Sequence, residues 1–516
     1  MVIRISFNRL NFLIKNIILI NQAIQKMKFN FYPFLVFLLL SFPTRSQDIK
    51  YLSYDTDLTP AKEFKSRRDS LMKLMNPGSM AIFYSGPERV RNGDVNFLYH
   101  QDENFFYLTG FNEPMAILIL IPAGISLPGI TDSSTRVRTR EILLVQKRIR
   151  EREQWTGRTF GPEGAMRISG LDYALTNDQF PSLFSKLVRM ESVQSLYFTP
   201  LPEDANGSMK DLLSPLRTYL NAVDIAHSRK TFLDPRSLLF GLRSIKSPNE
   251  IALIRKASEI SALAHQEAMK SLEPGMYEYQ LQGIYEYVYH AKGAEYTGYP
   301  CIVGSRENSV ILHYEANRKQ IQDGDILLAD CAAEYHNYSS DVTRTYPANG
   351  HFSRAQQEIY DLVLKAQNAC IALVKPGTSW RDVQLKAEEV ITEGLFNLGI
   401  IKEKTYPQMR RFFMHGIGHP VGLNVHDVGI NPLDPIANRV LKPGMVYTVE
   451  PGIYIGENSE GVDPKYYNIG VRIEDVLLVT QAGHENLSES APRERQAIEA
   501  LMKKKGIGNV PLALEK

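Results

Sequence analysis

Four carboxylates lie at or beside the ends of short apolar segments in the second half of the chain. Asp330 follows Ile-Leu-Leu-Ala, and Glu450 follows Val-Tyr-Thr-Val. Each is followed along the chain by a second carboxylate, Asp341 or Glu474, on a segment that reads as a returning strand. Several ionised carboxylates in one core repel one another unless cations lie between them. The pattern therefore indicates a site for divalent metal ions.

Histidines are concentrated between the two carboxylate pairs. His415, His419 and His426 fall within 12 residues of a chain that has 11 histidines in 516 residues. A site with mostly oxygen ligands and one imidazole favours manganese, with cobalt, zinc and iron as alternatives. The sequence has neither a Gly-rich phosphate loop nor a Gly-x-Ser-x-Gly segment, which weighs against phosphoryl transfer and serine catalysis.

Two similar units of helix and strand are predicted to position these residues. In each unit, a Ser-x-x-Glu or Ser-x-x-Gln capping box, at 247–250 or 353–356, begins a long helix. A Pro-Gly turn and a further amphipathic helix follow. Gly324 then precedes the apolar segment that ends at Asp330, and Gly444 precedes the one that ends at Glu450. This matching order predicts an internally duplicated half.

The first half of the chain reads as a separate α/β domain over residues 50–235, and residues 245–505 as the catalytic domain. Short apolar runs predict strands at 81–84, 116–121, 142–145 and 196–198. Helical spacing predicts a helix over 63–75 with Leu71, Leu74 and Met75 on one side. The segment 124–140 is polar and contains Gly, Pro and Ser, and is expected to be a surface loop.

Composition excludes several classes of protein. The 59 basic and 57 acidic residues give a net charge of +2, which does not favour nucleic acid as a partner. The 3 cysteines form no disulfide framework and no Cys-x-x-Cys zinc motif.

The N-terminus predicts export. Residues 27–46 combine a charged start, an apolar core and small residues before a polar stretch, as in a signal peptide. Met27 is then expected to be the true start, with residues 1–26 the result of a mis-assigned start. The protein is expected to be periplasmic or secreted, with no membrane span in the mature chain; a retained N-terminal membrane anchor is the alternative.

Residues 245–485 resemble the pita-bread metallopeptidases, the family that includes methionine aminopeptidase, prolidase, creatinase and aminopeptidase P. The resemblance rests on Leu328–Asp330, Ser340–Thr345, His415–His419, Val449–Tyr454 and Val471–Asp475. The N-terminal half is similar to the bacterial Xaa-Pro aminopeptidases at Asn104–Pro114 and Trp155–Arg158. Ile302–Asn308, which leads to Leu312-His313-Tyr314, is similar to them as well. The fold class that it implies is α/β, with an N-terminal mixed α/β domain and a C-terminal duplicated pita-bread domain.

The resemblance also implies a set of metal ligands. Asp330 would hold one divalent ion, His419 and Glu450 would hold the other, and Asp341 and Glu474 would bridge both. A hydroxide between the two ions would then attack the carbonyl ahead of proline.

Roles for further residues follow from the same resemblance. Glu450 would shuttle protons, and His426 would donate a hydrogen bond to the carbonyl oxygen as charge develops there. His313 and His415 would line the pocket for proline and the leaving group. Arg472 and Tyr454 would support the ligands.

The implied activity is manganese-dependent removal of the residue ahead of a proline at the second position of a peptide, by a homodimer or homotetramer. Three other functions compete with it. A prolidase would be restricted to Xaa-Pro dipeptides, and a creatinase-like enzyme would cleave non-peptide C–N bonds. A catalytically inactive binding module would lack metal ligands, whereas this chain has all five.

Overall fold

The computed structural model describes residues 57–130, 132–201, 207–222, 230–428 and 440–510. The predicted signal peptide at 27–46 and the segment before it lie outside these residues. Among the described helices, none combines the length and the apolarity that are needed to cross a membrane.

A six-stranded mixed sheet forms the centre of the first half, in the order β6-β5-β4-β1-β7-β8. Its strands are β1 (Ser79–Tyr84), β4 (Ile117–Pro128), β5 (Arg136–Val145), β6 (Ala174–Thr176), β7 (Ser195–Phe198) and β8 (Thr231–Leu233). A small hairpin of β2 (Val90–Asn92) and β3 (Val95–Asn96) stands apart from it. The helices are α1 (Ala61–Leu74), α2 (Glu103–Thr109), α3 (Glu153–Thr156), α4 (Gly161–Ser169), α5 (Phe180–Val188), α6 (Gly207–Leu212), α7 (Ser214–Ala222) and α8 (Arg236–Ser244).

Both faces of this sheet are buried, which explains the continuous apolar runs of its strands. Along β1, Met80 and Ile82 pack into one apolar cluster and Ala81 and Phe83 into another, because successive side chains point to opposite faces. The second cluster continues into the other half of the chain. The two halves therefore share a core.

The strand predictions for this half are confirmed, but two other predictions are wrong in part. Leu74 is 51% exposed, whereas Leu71 and Met75 are buried. The segment 124–140 is mainly strand, because β4 continues to Pro128 and β5 begins at Arg136. Ile125 and Leu127 are buried, so this end of the β4–β5 hairpin has an apolar face even though the segment is mainly polar in composition.

The second half is built from long helices around small antiparallel sheets. Its helices are α9 (Pro248–Ser271), α10 (Glu278–Ala291), α11 (Arg354–Ile371), α12 (Trp380–Asn397), α13 (Tyr406–Arg410) and α14 (Arg495–Met502). Its strands are β9 (Tyr296–Thr297), β10 (Ile302–Ser305), β11 (Ile326–Asp330), β12 (Ala333–Tyr335), β13 (Tyr338–Ser339), β14 (Thr343–Pro347), β15 (Val446–Val449), β16 (Gly452–Ile455), β17 (Ile469–Arg472), β18 (Asp475–Val479) and β19 (His484–Asn486). Both predicted capping boxes are present, at Ser247 before α9 and at Ser353 before α11.

The predicted duplication is visible in the strand pairing. β11 pairs antiparallel with β14, and β15 pairs antiparallel with β18. The turn glycines Gly324 and Gly444 have φ values of 82° and 87°, which glycine adopts without steric cost. The Pro-Gly turns match as well, since the N–H of Gly275 donates to Ile321 O and that of Gly377 to Leu441 O. Each repeat thus delivers two carboxylates to the ends of one strand pair.

Candidate metal centre

The first carboxylate pair lies where β11 and β14 meet. Asp330 is the last residue of β11 and is paired with Thr343, the first residue of β14. Asp341 lies two residues before Thr343 in the sequence. Both side chains are buried. The antiparallel pairing therefore brings two carboxylates together that the intervening β12–β13 hairpin separates along the chain.

The second pair occupies the matching place in the other repeat. Val449 is paired with Asp475 across β15 and β18, so Glu450 and Glu474 lie directly beside the end of this ladder. The β16–β17 ladder lies between them along the chain. Glu474 is buried, and Glu450 is partly buried.

His419 is held against β15 by backbone pairing. Its carbonyl accepts from the N–H of Thr448 at 2.9 Å, and its N–H donates to the Thr448 hydroxyl at 3.0 Å. The N–H of Glu450 donates to Ile417 O at 2.9 Å. This close approach requires glycine at position 418, because a Cβ there would lie 2.2 Å from Thr448 O.

Donor atoms from both repeats converge with those of the segment 415–427, here called the histidine loop because it carries His415, His419 and His426. The ligand atoms of Asp341, His419 and Glu474 all lie within 4.8 Å of one another. His419 Nε2 is 3.2 Å from Asp341 Oδ2 and 3.5 Å from Glu450 Oε1. The other ring nitrogen of His419 lies 3.0 Å from Pro420 O, a hydrogen bond that leaves Nε2 as the ligand atom.

Asp330 joins this cluster through a tyrosine and an arginine. The Tyr299 hydroxyl lies 2.5 Å from Asp330 Oδ1 and 2.6 Å from Asp341 Oδ1. Arg472 Nη2 donates to Asp330 Oδ2 at 2.5 Å. The structure thus brings all five predicted ligands into one centre.

The electrostatics of the centre favour a bound cation. Burial raises the pKa of Glu450 to about 7, although His419 and Arg472 oppose the shift. Burial also raises the pKa of Glu474 well above its usual range, and the neighbouring Asp341 adds to the effect. Burial likewise raises the pKa of Asp330, against the charge of Arg472. Carboxylates in these surroundings need positive charge to stay ionised.

His419 supplies part of that charge in the protein without metal. Burial opposes its protonation, but the hydrogen bond and the charge of Asp341, with Glu450, raise the pKa of His419 to about 9. Without metal, the proton on His419 Nε2 therefore neutralises the same carboxylates that a bound cation would neutralise. The donor set, its burial and its need for positive charge fit divalent metal ions.

A chain of hydrogen bonds connects His415 to Asp330. Arg472 Nη1 donates to the Tyr454 hydroxyl at 2.9 Å, and that hydroxyl lies 2.8 Å from His415 Nε2. Because Tyr454 accepts from Arg472, its own proton goes to His415. Burial and the charge of Arg472 lower the pKa of His415 to about 3, so this ring is neutral.

His426 and His313 lie at the exposed side of the centre. The rings of His426 and His419 are 4.3 Å apart in an edge-to-face arrangement. Burial, with the charge of His419, lowers the pKa of His426. The charge of His313 contributes to the lowered pKa of both His415 and His426, so all four histidines belong to one neighbourhood.

A buried ion cluster anchors the loop that carries His426. Asp427 Oδ1 accepts from Arg243 at 2.6 Å, and its Oδ2 accepts from Lys246 at 3.0 Å. Arg243 also donates to Asn424 in the same loop and to Asn104 in α2. The first half of the chain therefore contacts the histidine loop directly.

Several contributors to the centre were missed by reasoning from the sequence. Tyr299, Thr448 and the Asp427 cluster carry no spacing signal. Thr343, which donates to Glu474 Oε2 at 2.6 Å, lies inside a motif that the resemblance uses. Tyr299 could have been suggested only by its place ahead of β10, since β10 pairs with β11 and places Ile302 opposite Asp330.

Comparison with known families identifies two segments. Residues 252–481 match the model of "Metallopeptidase family M24", and residues 64–197 match "Aminopeptidase P, N-terminal domain". The first segment contains all five residues of the centre, and the second contains most of the six-stranded sheet.

Individual proteins agree with these matches. The chain is 40% identical over 450 residues to an Xaa-Pro aminopeptidase of Escherichia coli strain K12, covering 86% of this chain and 97% of that protein. A solved structure of aminopeptidase P from E. coli with the inhibitor Pro-Leu has a TM-score of 0.76 at 38% identity, covering 86% of this chain and 98% of that one. A zinc-substituted E. coli aminopeptidase P in complex with product matches equally, with a TM-score of 0.76, 38% identity and the same coverage.

Proposed function

Since this chain belongs to the Xaa-Pro aminopeptidases, within metallopeptidase family M24, we propose that its five-residue centre releases the first residue of peptides whose second residue is proline. The single observation that carries the proposal is the convergence of the Asp341, His419 and Glu474 donor atoms within 4.8 Å. The prolidase, the creatinase-like enzyme and the inactive binding module are not favoured by the relatives. All five ligand types are also present, which a binding module without metal would not need.

Asp330, Asp341, His419, Glu450 and Glu474 would hold two divalent metal ions. By the family resemblance, Asp341 and Glu474 would serve both ions, Asp330 would serve one, and His419 with Glu450 would serve the other. Bound ions of this kind act as Lewis acids that lower the pKa of water and polarise a carbonyl. Four carboxylates with one imidazole favour manganese, and cobalt, zinc and iron have suitable ligands here as well.

Glu450 moves the proton during hydrolysis. The bond ahead of proline is a tertiary amide, so its nitrogen has no proton and must gain one before it leaves. The Glu450 carboxylate would accept a proton from the attacking water and deliver it to that nitrogen. His415 Nδ1 lies 3.7 Å from Glu450 Oε2.

His426 stabilises the negative charge that develops on the carbonyl oxygen. Its lowered pKa keeps the ring neutral near pH 7, and a neutral imidazole still has one N–H to donate. The Asp427 cluster fixes the backbone beside it. His313 and His415 line the space for proline and the leaving peptide, while Arg472 and Tyr454 orient Asp330 and His415.

A peptidase assay with the purified full-length chain tests the function. Release of alanine from Ala-Pro-Ala should require manganese, stop in excess chelator, and be lost in Asp341→Ala. The matched control is Asp361→Ala, which removes a carboxylate that pairs with Arg495 at the surface. Cleavage of Ala-Pro but not of Ala-Pro-Ala would identify a prolidase instead. A folded protein that cleaves neither peptide with any divalent metal would contradict the proposal.

We further propose that the protein is a homodimer or homotetramer that associates through the β2–β3 hairpin. Val90, Val95, Phe97 and Leu98 are between 49% and 73% exposed, an apolar surface that association would cover. Light scattering of the wild type should give a multiple of the chain mass, and Phe97→Ser with Leu98→Ser should reduce it. Leu385→Ser, at an exposed leucine of α12, is the control. A monomeric wild type would refute the assembly.

Export is proposed on the sequence alone. Cleavage of the signal peptide near Ser46 would place the mature enzyme in the periplasm or outside the cell. The N-terminal sequence of protein recovered from the cell envelope and medium tests this, since a retained start would instead identify a membrane anchor.

A further inference from the structure

Helix α9 carries a polar stripe that faces the backbone between two of the metal ligands. Ser258, Ser261 and His265 are three and four residues apart, which places them on one face of the helix. All three are fully buried in a helix whose other buried positions are mainly apolar. Buried polar groups need partners. Each of the three contacts the segment 331–342, which directly follows Asp330 and contains Asp341.

The two serines contact this segment near its start and near its end. Ser261 accepts from the N–H of Ala333 at 2.9 Å and donates to Ala257 O within its own helix. Ser258 donates to Ile254 O, so in its 2.9 Å contact with Ser340 the proton comes from Ser340. Ser340 directly precedes Asp341.

His265 contacts both ends of the segment with one atom. Its Nε2 lies 3.1 Å from Cys331 O and 2.9 Å from Val342 O. Because both partners are carbonyl oxygens, Nε2 carries the proton and shares it between them. Cys331 directly follows Asp330, and Val342 directly follows Asp341. One N–H therefore joins the backbones beside two metal ligands.

The second ring nitrogen fixes this tautomer. The Tyr285 hydroxyl lies 3.0 Å from His265 Nδ1 and 3.2 Å from the Tyr346 hydroxyl. Since Nδ1 has no proton, Tyr285 donates to it, and Tyr346 donates to Tyr285. Burial lowers the pKa of His265 to about 3, so the ring stays neutral.

We infer that His265 is a positioning residue for metal binding: it holds Cys331 and Val342 together and so sets the separation of Asp330 and Asp341. Besides His265, two backbone hydrogen bonds close this segment: the N–H of Cys331 donates to Val342 O at 3.2 Å, and the N–H of Ser340 donates to Ala333 O at 3.0 Å. The inference rests on the proposed function, in which both carboxylates bind metal.

The second repeat has a matching device. Gln367 of α11 donates to Val449 O at 3.3 Å and to Asp475 Oδ2 at 3.0 Å. Val449 precedes Glu450, and Asp475 follows Glu474. In both repeats, a buried polar side chain of the first long helix thus contacts residues beside the two carboxylates.

Calorimetric titration of the chelator-stripped full-length chain with manganese chloride tests this role. Loss of a group that orients metal ligands costs about 10- to 100-fold in metal affinity. His265→Phe should show a loss of this size. His265→Gln, which retains an N–H donor, should lose less. Met269→Leu, a conservative change at a buried apolar position of the same helix, should bind manganese as the wild type does.

A folded His265→Phe protein with the manganese affinity of the wild type would overturn the inference. If that variant does not fold, His265→Gln decides, since unchanged affinity overturns the role and reduced affinity supports it. A wild type that binds manganese but does not cleave Ala-Pro-Ala would refute the proposed function alone. In that case the affinities of the variants would still report on His265.

Discussion

Replacing Gly418 by alanine should displace two predicted metal ligands at once. The new Cβ would lie 2.2 Å from Thr448 O and 2.7 Å from the Thr448 hydroxyl. An unstrained contact between carbon and oxygen is about 3.3 Å or longer. The backbone at 418 and the β15 strand must therefore separate by about 1 Å.

The displacement acts on the centre because Thr448 connects its parts. Its N–H and hydroxyl pair with the backbone of His419, and its hydroxyl also lies 3.3 Å from Glu450 Oε1. A misplacement of about 1 Å in a catalytic arrangement costs about 100-fold in rate. We expect kcat/KM of Gly418→Ala for Ala-Pro-Ala to fall by about that factor at saturating manganese.

Gly416→Ala is the matched control, two residues away in the same loop. Its Cβ would meet only Gln384 Oε1, at 4.0 Å, which is an ordinary van der Waals contact, so kcat/KM should stay close to that of the wild type. Thermal unfolding of both variants separates displacement from misfolding. A folded Gly418→Ala enzyme with the kcat/KM of the wild type would refute the geometric argument.

Two further predictions concern stability. Asp427→Ala leaves Arg243 and Lys246 buried without their shared anion, and should lower the free energy of unfolding by about 3–5 kcal/mol in urea. Arg255→Ala, which removes a partly exposed pair with Glu485, should cost no more than about 1 kcal/mol, and equal losses would contradict the reasoning. In chelator, Glu450 and His419 bind protons more tightly in the folded chain, with pKa values of about 7 and about 9 against 4.5 and 6.5 when unfolded. The contribution of these two groups to stability is complete below their pKa values in the unfolded chain, and it is lost as pH rises through their pKa values in the folded chain. Urea midpoints measured in chelator should therefore fall from pH 5 to pH 9. Saturating manganese, which binds the deprotonated ligands, should oppose this fall, whereas a rise with pH in chelator would refute the assignment.

Residue types and local order were enough to predict the repeats and four carboxylates beside a cluster of histidines, whereas the choice of His419 as a ligand came from the family resemblance. Capping boxes, turn glycines and apolar runs that end in a carboxylate are local features, since each depends on neighbouring residues. The segment 124–140 shows the limit of such reasoning. Its polar composition predicted a loop, but the pairing of β4 with β5 extends the strands and buries Ile125 and Leu127.

The amino-acid types and their order set the chemistry that is available: four carboxylates, an imidazole and the strands that carry them. The way in which these groups are held depends on contacts that form when the chain folds. Tyr299 reaches Asp330 and Asp341 across the pairing of β10 with β11, and Arg243 reaches Asp427 from 184 residues away in the chain. Such contacts join segments that fold against each other, so spacing along the chain carries no trace of them. For the same reason, the sequence alone indicates only that His265 is a core residue of a helix. Its role depends on the carbonyls of Cys331 and Val342, which belong to a distant part of the chain.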